Sequence, residues 1–173
     1  MDLETELLRE HSKNQAEKIV RWIGSDQRRL KMLMSLFLTG EYVVAQRAAM
    51  VVSTLTDHDP QIFRRYLKPM LARVQEPGIH DAVRRSIVRL LQYIDIPGDM
   101  LGTAANVCFE QLGSAGAPIA VKCFSMTVLA NIVRKEPELG RELQLVIEEQ
   151  LPFAGAGFRA RAREILRALK TGA

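Results

Sequence analysis

The sequence contains few of the features that define secreted, membrane or metal-binding proteins. Its only cysteines, Cys108 and Cys123, have no CxxC spacing, so they predict neither a disulfide framework nor a zinc site. No stretch approaches about 18 uninterrupted apolar residues, so we expect no membrane span. The N-terminus is charged from Asp2 onward, and we expect no signal peptide. Together these features favour a reduced, cytoplasmic compartment.

Catalytic motifs are also missing. The three histidines have no HExxH spacing, and the chain contains no P-loop, GxSxG or GxGxxG motif. His58 lies between Asp57 and Asp59, where a turn with a capping aspartate is a better interpretation than a metal site. The small-residue run 113–118 (GSAGAP) lacks the lysine of a phosphate-binding loop, so we interpret it as a turn. We therefore expect a non-enzymatic protein with no metal and no cofactor.

Length and composition indicate one ordinary globular domain, residues 1–173. Apolar residues make up 47% of the chain, charged residues 25% and aromatic residues only 6%. This balance is typical of soluble domains. The formal net charge of +4 is modest, and it is compatible with acidic protein partners or nucleic acid without requiring either.

An amphipathic pattern repeats along the chain. Counted from Val83, apolar residues occur at offsets 0, 4, 7, 8 and 11, which form one stripe of an α-helix. The same template begins again at Val44, Val121 and Phe158, and 19 of its 20 positions are apolar, Ser125 being the exception. The four starts are 39, 38 and 37 residues apart. The pattern predicts four similar helices, each the second helix of a repeat.

Glycine and proline repeat with the same period. Gly40, Gly78 and Gly116 are 38 residues apart and Gly155 follows 39 later. We expect each to follow a first helix in the left-handed conformation that glycine adopts at little cost. The first helices are predicted to open at one serine and three prolines: Ser25, Pro60, Pro97 and Pro137. The predicted repeats are 25–56, 60–95, 98–134 and 137–170, preceded by an N-terminal capping helix or helix pair at 1–24.

Several residues resemble the HEAT-repeat α-solenoid family. Pro69 falls where the first helix of a HEAT unit is often kinked, and Asp81, Val83 and Arg84 are similar to the opening of its second helix. The resemblance implies an all-α fold: a right-handed α–α superhelix of about four helical hairpins. It also implies that the second helices line the concave face, and that the protein is a scaffold for protein–protein interactions.

Charge is distributed unequally between the two sets of helices. The second helices (41–56, 78–95, 117–135, 157–170) hold 12 basic and 4 acidic residues, whereas the first helices (25–40, 60–76, 97–113, 136–152) hold 8 and 9. The resemblance therefore predicts a basic concave face, suited to an acidic or amphipathic segment of another protein. Nucleic-acid binding is the alternative, including a remote HEAT-like DNA glycosylase. The low aromatic content counts against nucleic-acid binding, because bases stack on aromatic side chains. The resemblance to glycosylases would also imply aromatic residues and an acid on the concave face, whereas the one tryptophan, Trp22, lies in the N-terminal cap and Asp95 is expected at the end of its helix.

The second helix of the third repeat, IAVKCFSMTVLANIV, carries only one charged residue. Three smaller residues of this helix, Cys123, Thr127 and Ala130, occupy the positions that Arg85, Arg89 and Gln92 hold in the second repeat. We expect them to form a shallow apolar floor with basic residues on either side. The alternative is a helix covered on all sides. A different surface to consider is the acidic first helix around Glu142, Glu148 and Glu149. The predicted partner-binding residues are Arg85, Arg89, Gln92, Cys123, Thr127, Ala130 and Arg167.

Overall fold

The computed structural model describes residues 1–171, and most of them are in helices. No strand is present in that range, so the predicted all-α class is confirmed. Short 3-10 segments occur at Pro60–Tyr66, Pro137–Leu139 and Leu151–Phe153. The α-helices are α1 (Leu3–Arg9), α2 (Lys13–Ile23), α3 (Gln27–Thr39), α4 (Tyr42–His58), α5 (Leu67–Gln75), α6 (Asp81–Leu91), α7 (Gly98–Gly113), α8 (Ile119–Val133), α9 (Gly140–Gln150) and α10 (Ala156–Thr171).

Contacts within the chain divide it into two compact units, Met1–Asp95 and Ile96–Ala173, here called unit 1 and unit 2. The single domain predicted from length therefore stays a prediction, and its last two residues lie outside the described range.

Unit 1 consists of three helical hairpins. The pairs are α1 with α2, α3 with α4, and the first 3-10 segment plus α5 with α6. The second helices form one row, in which α4 lies between α2 and α6. The first helices form another row, in which α3 lies between α1 and α5. The N-terminal segment, predicted as a cap of one or two helices, is the helix pair α1–α2, and both of its helices pack on α4.

Unit 2 consists of two hairpins. Helix α7 pairs with α8, and the 3-10 segment Pro137–Leu139 plus α9 pairs with α10. Helix α8 packs against α7, α9 and α10, so it lies at the centre of the unit. The second helices of unit 2, α8 and α10, are therefore in direct contact, as α4 and α6 are in unit 1.

The repeated apolar stripe is the core. All five template positions are buried in α4, in α8 and in the segment that begins at Val83. In α10, Phe158, Ala162 and Ile165 are buried, while Leu166 and Leu169 are half-buried. Ser125, the one polar residue of the template, is fully buried as well. The period of about 3.6 residues thus marks the face of each second helix that is excluded from water.

Aspartates cap two of the first-helix segments: Asp59, as predicted, and Asp26, where the sequence had suggested Ser25 as the start of the helix. Asp26 precedes α3, and its carboxylate accepts hydrogen bonds from the backbone N–H groups of Arg28 (2.8 Å) and Arg29 (3.3 Å). These bonds lower the pKa of Asp26, because they favour the charged form. Asp59 accepts in the same way from the N–H of Gln61 at 3.0 Å. Ser25 lies one residue too early to satisfy these donors.

Pro69 is accommodated by a change in helix type. The chain follows a 3-10 helix over Pro60–Tyr66 and an α-helix from Leu67 onward. Pro69 is therefore the third residue of α5, two residues after the change of helix type, and the irregularity expected from a proline inside a first helix lies at this point.

The repeated glycines lie between the helices as predicted, but the conformation predicted for them is wrong at three of four positions. Gly78 has φ +74, whereas Gly40, Gly116 and Gly155 are not among the positive-φ residues. At Gly40 the backbone is extended and leads directly into α4. Here a close approach requires glycine, because a Cβ would lie only 2.3 Å from the Leu36 carbonyl oxygen.

The α1–α2 pair is joined by a charged cluster around Glu6. Its carboxylate accepts from Lys18 Nζ at 2.7 Å and from Gln15 Nε2 at 2.8 Å. The bonds from Lys18 and then Gln15 lower the pKa of Glu6 from 4.5 to about 2. The ionised Glu6 carboxylate therefore adds to the free energy of unfolding at pH values above its ordinary pKa. This contribution is lost as the pH falls towards 2 and the carboxylate is protonated.

We expect Glu6→Gln to destabilise the chain at pH 7 and to have progressively less effect between pH 5 and pH 2. The glutamine keeps a hydrogen-bond acceptor but removes the charge, so the difference isolates the ionised form. Denaturant unfolding of both proteins across this pH range checks the expectation. The exposed Glu4→Gln serves as the control, and equal pH dependence in the two variants would contradict the role of Glu6.

Candidate partner-binding surfaces

The unequal charge distribution belongs to unit 2. Its second helices hold eight basic residues and one acidic residue, whereas its first helices hold one basic residue and seven acidic residues. In unit 1 the second helices hold four basic and three acidic residues, and the first helices hold seven basic and two acidic residues. The two helix layers of unit 2 are therefore oppositely charged. We call the exposed side of α8 and α10 the basic layer, and the exposed side of α7 and α9 the acidic layer.

The three predicted residues on α6 and at its C-cap differ in how freely they can contact a partner. Arg85 is exposed. Arg89 is half-buried: its guanidinium donates to the Ser53 carbonyl at 3.2 Å, pairs with Asp57 and lies over the ring of Tyr93. Gln92 donates to the carbonyl of Arg89 at 3.2 Å. Much of the hydrogen-bonding capacity of Arg89 is thus used within unit 1.

On α8 the predicted apolar floor lies along the seam with α10. Cys123, Thr127 and Ala130 are all half-buried. The Thr127 hydroxyl accepts a hydrogen bond from Arg161 of α10, and the Cys123 sulfur is 3.9 Å from the Gly157 carbonyl oxygen. The packing of α10 therefore covers part of this surface and places a cation across it.

The other end of this seam opens into a cleft. Ala130 lines it together with Arg134, Arg141 and Leu169, and its volume is about 400 Å³. Arg167 is exposed on α10. The structure thus distributes the predicted residues between α6 of unit 1 and α8–α10 of unit 2, and their continuity as one site stays a prediction.

A larger groove in unit 2 was not predicted from the sequence. It has a volume of about 580 Å³ and lies where the turns 113–118 and 151–155 meet the helices of both hairpins. Sequence analysis had considered several of its residues, namely Glu142, Glu149, Gly155, Phe158 and the GSAGAP turn, but not as parts of one groove. The lining consists of Phe109, Gly113, Ala115, Ile119, Lys122, Glu142, Val146, Glu149, Gln150, Phe153, Ala154, Gly155 and Phe158.

Gln150 holds the two hairpins together at this groove. Its amide nitrogen donates to the Leu112 carbonyl at 2.9 Å, and its amide oxygen accepts from Lys122 Nζ at 2.8 Å. These bonds connect the last residue of α9 to α7 and α8. They also occupy Lys122, whose ammonium is the one basic group in the lining.

Residues 57–59, which could suggest a metal site, have separate partners. Asp57 pairs with Arg89, His58 lies 3.9 Å from Glu17, and Asp59 caps a helix. Within residues 1–171, no three His, Cys, Asp or Glu side chains are grouped so as to hold a metal ion. No helix in the same range is long and apolar enough to cross a bilayer.

Both thiols are poorly suited to nucleophilic chemistry. Cys108 is buried, and burial raises its pKa to about 12. Burial also raises the pKa of the half-buried Cys123, and the nearby Arg161 only partly opposes this shift. The thiolate is the reactive form, and it is scarce at neutral pH when the pKa is raised.

We expect both cysteines to react with iodoacetamide more slowly than free cysteine at pH 7.5, and Cys108 to be the slower of the two. Cys123→Ser and Cys108→Ala variants separate the two rates, and mass spectrometry measures them. In denaturant both should react at similar rates, which provides the control. Labelling of either native thiol faster than free cysteine would contradict this expectation.

Within each unit the helical hairpins pack side by side, the arrangement typical of an α-solenoid. A sequence profile of the HEAT repeat domain matches residues 3–169. The chain therefore belongs to the HEAT repeat family, and the match includes the α1–α2 pair. No significant match was found among curated proteins or among solved structures.

Proposed function

We propose that this protein is a non-enzymatic scaffold that binds an acidic or amphipathic segment of another protein on its basic second-helix surface. The HEAT repeat fold is a helical-repeat fold of the kind used for protein interactions, and its members are generally non-catalytic. The finer assignment to the basic layer, and to a cytoplasmic location with reduced thiols, is part of the proposal.

The charge separation within unit 2 is the observation that carries this proposal. Arg159, Arg163, Arg167 and Lys170 of α10 are all exposed. They share a helix whose apolar face is buried, so their charges are displayed in one direction. Such a surface attracts acidic segments and orients them during encounter. The half-buried seam residues Thr127 and Ala130 would supply the less polar part of the contact.

Nucleic acid is the competing ligand for a basic surface. Binding of single strands generally uses aromatic side chains on which bases stack. Trp22, the one tryptophan, is half-buried in α2 with the Arg29 guanidinium over its ring at 4.7 Å. These features favour a protein partner, and salt dependence separates the two cases.

The test uses Arg163→Glu/Arg167→Glu, which reverses the charge of the exposed face of α10. Fluorescein-labelled acidic amphipathic peptides and a labelled DNA oligonucleotide are titrated by anisotropy at two salt concentrations. We expect saturable peptide binding that weakens at least about tenfold in the variant, because attraction becomes repulsion. Neutralisation of five phosphates would give a log–log salt slope of about −4.5, which a protein contact should not approach.

Arg64→Glu/Arg65→Glu is the matched control. Both arginines are exposed and lie in the first-helix row of unit 1, so the same change in net charge occurs away from the basic layer. Equal weakening by the two double variants would show a general charge effect and contradict the proposal. Tight DNA binding with the steep salt slope would replace it with nucleic-acid binding.

A further inference from the structure

We propose that the groove of unit 2 is a second docking site, which takes a cationic amphipathic segment of another protein. Its lining contains none of the arginines of α10 that carry the first proposal, and it requires a partner segment of the opposite charge. Three features carry this inference: an exposed aromatic residue, a line of unpaired carboxylates, and an apolar interior whose polar groups are already satisfied.

Phe153 is the clearest sign of an interaction surface. Its side chain is 91% exposed, the highest value for a large apolar residue in the described part of the chain. Ile119, which also lines the groove, is 55% exposed. Aromatic residues are enriched at protein interfaces and often dominate the binding energy. Both residues border one concave volume, which distinguishes them from isolated exposed apolar side chains.

The floor of the groove is apolar. Phe158 is buried beneath it, and Phe109 and Val146 are half-buried in its walls. The polar atoms of Gln150 and Lys122 bond to each other and to the backbone. A partner side chain that packs against Phe109, Val146 and Phe158 would therefore meet carbon atoms, while the carboxylates of the lining remain available to a cation.

Helix α9 contributes an acidic rim. Glu142, Val146 and Glu149 are spaced i, i+4 and i+7, so they follow one stripe along the helix and place the two carboxylates about 10 Å apart. Both glutamates are exposed, and neither forms an ion pair within residues 1–171. The rim thus presents acidic, apolar and acidic positions in sequence.

The complement of this rim is a segment with basic, apolar and basic positions at the same spacing. A helix with lysine or arginine at positions i and i+7 and a bulky aliphatic residue between them satisfies it. The apolar side chain would enter between Phe153 and Ile119, and the two cations would pair with Glu142 and Glu149. The volume of about 580 Å³ lies in the range of sites that enclose such groups.

A designed probe tests the site. It is a fluorescein-labelled helical peptide of about 16 residues, based on alanine and glutamine, with two lysines seven positions apart and a leucine between them. Fluorescence anisotropy should show saturable binding to the full chain. A peptide with both lysines changed to glutamate should bind at least about tenfold more weakly. Backbone amide resonances of Gly113, Ala115 and Gly155 should shift when the lysine peptide is added.

Two pairs of matched variants locate the contact. Phe153→Ser removes the exposed aromatic of the groove, whereas Leu145→Ser removes a leucine of α9 that is 49% exposed and does not line it. Glu149→Lys reverses a charge at the rim, whereas Glu148→Lys makes the same change at its neighbour. We expect the groove variants to weaken binding at least about tenfold and the controls less than about threefold.

Several results would overturn the inference. One is absence of saturable binding up to about 1 mM peptide; another is equal weakening by each groove variant and its control. Sedimentation velocity tests a second copy as the occupant, because the exposed face of α10 is also basic. Self-association that Phe153→Ser abolishes would replace a foreign partner with the chain itself. Arg163→Glu/Arg167→Glu should leave peptide binding within about threefold, so the two proposals can fail independently.

Discussion

Leu90→Ala is expected to lower the free energy of unfolding by about 2–5 kcal/mol. Leu90 is in α6, on the template stripe, and its side chain is 0% exposed. Truncation removes apolar atoms from the core and leaves a cavity that the rows of packed helices cannot fully close. Urea unfolding followed by circular dichroism measures the change.

Arg85→Ala provides the comparison on the same helix. Arg85 is exposed, so its removal should change stability by no more than about 0.5 kcal/mol. A similar loss in the two variants would mean that the buried and exposed faces of α6 are assigned incorrectly.

Phe158→Ala is expected to lower the free energy of unfolding by about 3–5 kcal/mol. The ring is 1% exposed and lies in the first turn of α10, beneath the groove. Its loss would remove apolar contacts between α10 and the rest of unit 2. The groove would lose its floor, so binding of the lysine peptide should weaken together with stability.

The control is Phe153→Ala, the same substitution five residues earlier. Because the ring of Phe153 is almost fully in water, we expect a stability change within about 0.5 kcal/mol. Thermal unfolding of both variants measures the contrast. A loss of several kcal/mol at Phe153 would show that its ring packs in the fold, and it would then be unavailable to a partner.

Unit 2 presents two surfaces with opposite requirements. The basic layer of α8 and α10 suits an acidic segment, and the groove between the hairpin turns suits a cationic one. A scaffold with both surfaces could hold two partners at once, since the arginines of α10 that carry the first proposal do not line the groove. The salt and charge-reversal experiments on the two sites are therefore complementary.

The sequence was sufficient to predict the helices and their order in hairpins. Each second helix carries apolar residues at a period of 3.6, and burial of that stripe is what stabilises the helix, so the pattern and the fold have one cause. Val83, Ile87 and Leu90 illustrate this, since all three are fully buried. The glycine period also located the turns, although only Gly78, with its positive φ, and Gly40, with its close approach to Leu36, have a geometry that requires glycine.

Conformation within the turns depended on local geometry. The sequence predicted a left-handed backbone at Gly40, but that glycine is required by its close approach to Leu36. Ser25 and Asp26 are both good capping residues, and the position of the first N–H groups of α3 determined that the aspartate is used.

By itself, then, the sequence determined that this protein is an all-α repeat with buried stripes and an excess of positive charge on its second helices. Tertiary structure decided what each surface can contact. Packing of α10 against α8 places Arg161 over Thr127 and half-buries the predicted floor. Packing of α9 beside α7 and α8 creates the groove from residues as distant in sequence as Phe109 and Phe153. Helical periodicity is local and repeats along the chain, whereas a groove depends on which helices meet and on which side chains remain between them.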